Sequence, residues 1–145
     1  MLTPREEAAY WAGIIDGEGS ISIFKRRSSY LLFLRISNAD RMLVESFRDF
    51  AGCGSISRQR KRKDFWSQIY RCVLSPKATL NVLLKCFPFL RVKQKQAILA
   101  FSFNNAVGDC RGKGKKISSR ELELREEFQR MMKKLNGRYR ATHLK

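Results

Sequence analysis

The sequence predicts an α+β fold: an α-β-β-α-β-β-α core on a four-stranded antiparallel sheet, followed by added helices, the last at the C-terminal end. Three observations carry this. Residues 20–38 hold two alternating apolar and polar runs about a turn at Ser28-Ser29, as an antiparallel hairpin requires. A second pair of short runs follows at about 55–59 and 66–74. Segments with helical caps and helical apolar spacing stand before, between and after the two pairs. The 145 residues are 43% hydrophobic, which gives one domain a real core.

Each element has its own signal. Thr3-Pro4-Arg5-Glu6 is a capping box with proline at the first helical position, so a helix runs from Pro4 to about Asp16. The strand at 20–26 places Ile21 and Ile23 on one face, and its mate at 30–38 places Leu32, Leu34 and Ile36 together. Asp40 caps a helix over about 41–51, with Met42, Leu43, Phe47 and Phe50 as its apolar side and Gly52-Cys53-Gly54 as its stop. In the strand at 66–74, Ile69 and Val73 point one way and Gln68, Tyr70 and Cys72 the other. Ser75-Pro76 opens a third helix that ends near Cys86-Phe87-Pro88, and a fourth runs from about Arg91 to Phe103. The predicted organisation is a core at 1–105, a basic flexible connector at 106–118, and a C-terminal helix and tail at 119–145 in the same domain. The helix spans about 119–136 and should dock on the core through Leu122, Leu124, Phe128, Met131, Met132 and Leu135.

Composition narrows the function. Thirty Lys and Arg against thirteen Asp and Glu give a net charge of +17, which calls for a polyanionic partner, most simply nucleic acid. Residues 1–21 run against this trend, with Arg5 facing Glu6, Glu7, Asp16 and Glu18. The cysteines at 53, 72, 86 and 110 form no CxxC, which argues against a zinc finger, and they read as reduced thiols. The one histidine, His143, stands near the end and leaves no basis for a histidine relay. An enzyme of this composition would work through carboxylates, lysines and a hard metal ion. No stretch approaches the ~18 uncharged residues of a membrane span. No secretory signal follows Met1, so an intracellular protein is expected, in a bacterial or archaeal cytoplasm or encoded in an organelle. The glycine- and lysine-rich run at 108–116 does not match the phosphate-loop pattern and reads as a connector, and no small-molecule cofactor is expected.

The chemistry concentrates in the first helix. Ala9, Gly13 and Gly17 fall four apart on one stripe, which permits another backbone to approach closely, either within the chain or from a second copy. Asp16 and Glu18 sit where the helix dipole disfavours negative charge, so they are either solvated carboxylates or functional ones.

Together these residues form Trp11-Ala12-Gly13-Ile14-Ile15-Asp16-Gly17-Glu18-Gly19, which resembles the motif of the LAGLIDADG homing endonucleases of the single-motif, homodimeric type. The resemblance extends over about residues 8–103, and Pro88-Phe89-Leu90-Arg91-Val92-Lys93-Gln94-Lys95-Gln96-Ala97 is similar to a segment of single-motif members. It implies a site-specific double-stranded DNA endonuclease that cuts a long, nearly palindromic site by metal-dependent hydrolysis. The motif helices of two copies would pack through Ala9, Gly13 and Gly17. Glu18 would be the catalytic and metal-binding acid, and the Gly17 carbonyl a further ligand, with Mg2+ as the ion and Ca2+ able to support binding without cleavage. Lys93 would support catalysis, with Lys95 as its rival, and Asn38 and Arg41 would order water at the site. An intron-RNA maturase and a cleavage-deficient DNA-binding protein are the alternatives.

With the isoleucine and leucine face turned to the core, Ser22, Phe24, Arg26, Phe33 and Arg35 face away, as do Ser57 and Gln59. The expected mates across the second hairpin are Trp66, Gln68 and Tyr70. Such a sheet face can read base edges in a major groove, so it is the expected DNA-binding surface. Arg58 to Lys63 carries five basic residues in six, and Lys61 and Arg62 at this tip should grip phosphate.

Overall fold

The computed structural model describes residues 1–107 and 116–137. Of the expected connector at 106–118, residues 108–115 lie outside the described residues, as does the tail beyond 137. The order is α1 (Pro4–Glu18), β1 (Gly19–Arg26), β2 (Ser29–Asn38), α2 (Arg41–Ala51), β3 (Ser55–Arg58), β4 (Tyr70–Val73), α3 (Pro76–Cys86), a 3-10 turn at Phe87–Phe89, α4 (Gln94–Val107) and α5 (Ser119–Leu135). The strands form one antiparallel sheet in the order β1-β2-β4-β3. This is the α+β architecture that the sequence predicts.

The caps form where expected. The Thr3 hydroxyl and the Glu6 carboxylate exchange bonds with each other's backbone N–H, Asp40 accepts from the N–H groups of Met42 and Leu43, and Ser75 accepts from Ala78. Gly52 closes α2 at φ 78°, a conformation that suits glycine. One face of the sheet is covered by the helices. Ile21, Ile23, Leu32, Leu34 and Ile36 are buried there against Trp11, Phe47, Val82 and Leu83. Trp11 fills the space between α1 and α2, its ring 5.4 Å from Phe47 and 5.7 Å from Phe50. The Thr79 hydroxyl, buried in α3, accepts from Leu34 N–H at 2.9 Å and ties that helix to the sheet. Among the described residues no helix is long and apolar enough to cross a membrane.

Four details differ from expectation, each through contacts that the local sequence does not encode. The hairpin turn is Arg27-Ser28, because Arg26 pairs with Ser29 and Arg27 takes a left-handed φ of 55°. The helix α1 continues through Glu18 and passes directly into β1. The helix α4 begins at Gln94 and reaches Val107, past the expected core boundary at 105. The strand β4 begins at Tyr70, not 66, and its register reverses the expected facing. Cys72 lies between Ile36 and Ile56 on the core side with no exposed surface. Tyr70 therefore turns toward the core and packs against it, while Arg71 and Val73 turn to the open face.

Candidate functional site

Glu18 is the last residue of α1, and the chain enters β1 at Gly19, opposite Ile36. It thus stands at the sheet end where β2 finishes and β4 begins. Glu18 is exposed, and the carbonyl of Gly17 belongs to the last turn, whose acceptors have no partners inside the helix. Gly13 and Gly17 are exposed as well. A Cβ added at either would meet nothing within 4 Å among the described residues, so these do not pack against the two glycines. Gly19 behaves oppositely: a Cβ there would lie 2.6 Å from the Ile15 carbonyl oxygen, so the helix-to-strand junction requires glycine.

Asp16 organises the second half of the site. Its carboxylate accepts the N–H of Arg91 at 2.8 Å and of Lys93 at 3.0 Å, and so caps the entry to α4 from a distant segment. The Lys93 ammonium donates to the Asp16 carbonyl oxygen at 2.5 Å. Burial lowers the Lys93 pKa from its ordinary value, and the negative charges of Asp16 and Glu18 offset part of that. The two segments singled out in the sequence therefore meet, and Lys93 lies in the field of Glu18. Lys95, the rival, is exposed and lines a groove between α4 and α5 with Val92, Ile98 and Met131.

Asn38 and Arg41 meet through Tyr70. Asn38 pairs with Tyr70 at the end of β2, and its side-chain oxygen accepts from Asp40 N–H at 2.8 Å. Arg41 donates to Glu45 at 2.7 Å and holds its guanidinium 5.9 Å from the Tyr70 ring centre. Its pKa is raised by the hydrogen bond to Glu45 and then by that carboxylate's charge.

The open face of the sheet carries Phe24 and Arg26 from β1, Phe33 and Arg35 from β2, and Ser57 from β3. The Phe24 and Phe33 rings contact each other edge to face at 5.2 Å. Ser22 shares this face but is only 7% exposed, its hydroxyl 3.3 Å from that of Ser20, so it presents little to a partner. Arg71, not singled out in the sequence, opposes Ser37 and Ser57 and donates through Nη2 to Gln59 at 3.2 Å, while its buried Nε has no hydrogen-bond partner among the described residues. The available signal was the apolar pair Cys72 and Leu74, two apart, which sets Arg71 on the other side. Gln68 donates to the carbonyls of Gln59 and Ile69 and so ties the loop beyond β3 together. At the tip Lys61 and Arg62 are exposed, and Lys63 approaches the exposed rings of Phe65 and Trp66 at 5.5 and 5.9 Å.

Among the described residues of one chain, no group of three or more His, Cys, Asp or Glu is gathered to hold a metal. What Glu18 and Gly17 offer is one carboxylate and one carbonyl, both hard oxygen donors of the kind that Mg2+ and Ca2+ take.

The chain's residues 11–106 match the family model described as LAGLIDADG endonuclease. No curated protein sequence matches. Solved structures share the fold. The archaeal intron-encoded homing endonuclease I-Vdi141I, complexed with DNA, has 20% identity and a TM-score of 0.69, with 89% of this chain and 83% of that one covered. The homing endonuclease I-CvuI, in complex with its target in the presence of calcium, has 19% identity and a TM-score of 0.60, covering 92% and 96%. I-SmaMI, bound to an uncleaved DNA target in the presence of calcium ions, has 20% identity and a TM-score of 0.65 over 96% of this chain but 49% of that one.

Proposed function

This chain belongs to the LAGLIDADG endonuclease family, and from that premise we propose that it is a homodimeric, Mg2+-dependent endonuclease that cuts both strands of a long, imperfectly palindromic DNA site. The observation that carries the reading is α1 itself. Its stripe of Ala9, Gly13 and Gly17 ends in Glu18, and among the described residues nothing would lie within 4 Å of a Cβ at either glycine. An open, side-chain-free stripe is fit for a second α1, and two-fold packing there brings two Glu18 carboxylates and two Gly17 carbonyls together at the axis. One chain then supplies one acid, and two chains supply the pair that cutting two strands requires. The match of I-SmaMI over half its own length agrees, since a chain of that size has room for two such units.

Bound there, the metal would supply an activated water and neutralise charge at the scissile phosphate. The protein residues divide the remaining work. Glu18 and the Gly17 carbonyl would hold the ion. Lys93, kept in place by Asp16, directs its ammonium toward the same region and can stabilise charge that develops on the phosphate. Asn38, Arg41 and Tyr70 stand at the same end of the sheet and order its surroundings. The open sheet face reads bases, with Arg26, Arg35, Ser57, Gln59 and Arg71 as polar readers. Arg71 replaces Tyr70 in that role, since Tyr70 turns to the core. The basic tip with Lys61 and Arg62 grips phosphate. I-CvuI and I-SmaMI each hold a DNA target in the presence of calcium, which supports the expectation that Ca2+ permits binding here.

The test is a cleavage selection on a randomised duplex library with Mg2+, with sequencing of the cut ends and Glu18→Gln as control. Wild type should enrich one pseudo-palindrome. Glu18→Gln should bind that site within a few fold and leave it intact, because most affinity lies in phosphate contacts. Cleavage by Glu18→Gln at the wild-type rate would remove Glu18 from the site. Tighter binding to a folded intron RNA than to any duplex would favour the maturase.

A further inference from the structure

Arg125, in α5, is 5% exposed, and its Nε is buried without a hydrogen-bond partner. The residue lines an open cavity of about 110 Å3 between the β1–β2 hairpin, the start of α3, the end of α4 and α5. A buried guanidinium is costly unless acceptors or an anion satisfy its donors and its charge. No ion pair to Arg125 is found among the described residues. The neighbouring carboxylate, Glu126, is engaged by the Tyr30 hydroxyl at 3.2 Å and by the Lys25 ammonium at 3.8 Å. Asn104 and Ser29 add neutral polar groups to the cavity wall, beside apolar Leu80 and Phe103.

We infer that this cavity binds a compact oxyanion, with Arg125 as the charged anchor and Asn104 and Ser29 as neutral partners. The fork of guanidinium donors matches two oxygens of a phosphate or a carboxylate, and such charge-assisted bonds are the stronger kind. The volume admits a phosphate ion or a short carboxylic acid, not a nucleotide. The site stands apart from the cleavage machinery: Ser29 pairs with Arg26 at the hairpin turn, whereas Glu18 adjoins the opposite end, where Gly19 pairs with Ile36. Its walls join the hairpin to α5. That helix is fastened to β1 by Gln129, which donates to the Ile23 carbonyl, and by Asn136, which donates to that of Ile21. An ion here adds a further fastening, and ligand that binds only the folded chain raises its stability.

The experiment titrates the full chain with inorganic phosphate and, separately, with acetate at constant ionic strength, reading binding heat and thermal unfolding. Saturable binding of one ion per chain, with a rise in Tm, is expected. Arg125→Gln should weaken it at least ~10-fold while the exposed basic residues remain. Asn104→Leu, which leaves Arg125 in place, should also weaken it and serves if Arg125→Gln does not fold. Saturation by phosphate alone assigns a tetrahedral ion, and saturation by acetate alone assigns a carboxylate. Equal, unsaturable responses in wild type and variants would overturn the proposal.

Discussion

At Lys93 the structural and chemical demands on one residue conflict. Its backbone N–H is spent on the Asp16 carboxylate, which fixes the entry to α4, while its ammonium is drawn into a partly buried place beside Glu18. Burial makes the folded chain hold this proton less tightly than the unfolded chain does. Stability therefore carries the full cost of the buried charge below the depressed pKa. It rises with pH through the window from that value up to the ordinary 10.5, where both forms become neutral. In Lys93→Met this rise should disappear, so the stability of wild type relative to the variant should increase from neutral pH toward 10.5, read by urea unfolding. The same variant should cut DNA far more slowly yet bind it within a few fold. A pH-independent difference would mean that the ammonium is not desolvated. Asp16→Ala should instead cost about 1–2 kcal/mol of stability through loss of the cap. At this scale the motif helix with Glu18 and the segment with Lys93 could be singled out because each is a local pattern. That Asp16 caps a helix 75 residues away was not, since the partner is distant in sequence.

The helix α1 and the strand β4 set the contrast at the scale of elements. Caps and apolar spacing specify α1 locally, and its start is where the sequence places it. Its end overshoots to Glu18 because the glycine at 19 lets the chain turn straight into β1 against the Ile15 carbonyl. By contrast, β4 has four residues, and which side each faces depends on pairing with β2 and β3. A one-residue shift of phase exchanges Tyr70 for Arg71, and only the fit of Cys72 between Ile36 and Ile56 decides it. The open stripe on α1 gives a prediction that separates assembly from folding. Because a Cβ at Gly13 meets nothing within 4 Å, Gly13→Leu should leave the chain folded, with a helix favoured by up to ~1 kcal/mol. Sedimentation should nonetheless find it monomeric where wild type is dimeric, and double-strand cleavage should vanish with the dimer. A monomeric wild type that cuts both strands would sink the two-fold arrangement.

For the whole molecule, the length of the sheet and the position of its acids fix the form of the DNA site. The strand β2 has ten residues and spans roughly 33 Å at ~3.3 Å per residue. At ~3.4 Å per base pair, each protomer's sheet follows about ten base pairs and a dimer about twenty. In the proposed dimer Glu18 would stand at the axis end of that sheet and the Arg27-Ser28 turn at the other, so both cuts should fall at the centre while protection extends to both ends. In the proposed dimer, helices packed along the glycine stripe would hold the two acids near each other. The family resemblance then implies cuts across the central minor groove, so the ends should carry short 3′ overhangs. The charge of +17 governs affinity separately from sequence choice. Lys61→Ala and Arg62→Ala should weaken binding to all duplexes alike, and each should reduce the salt dependence by about one counterion. Arg71→Ala should act differently, relaxing preference at particular base pairs by about 1–3 kcal/mol with little change in the salt slope. Footprinting and binding on single-base variants of the selected site, at several salt concentrations, would distinguish the two classes. A footprint under about ten base pairs would be shorter than one protomer's sheet allows, and would mean that this face does not lie along the groove.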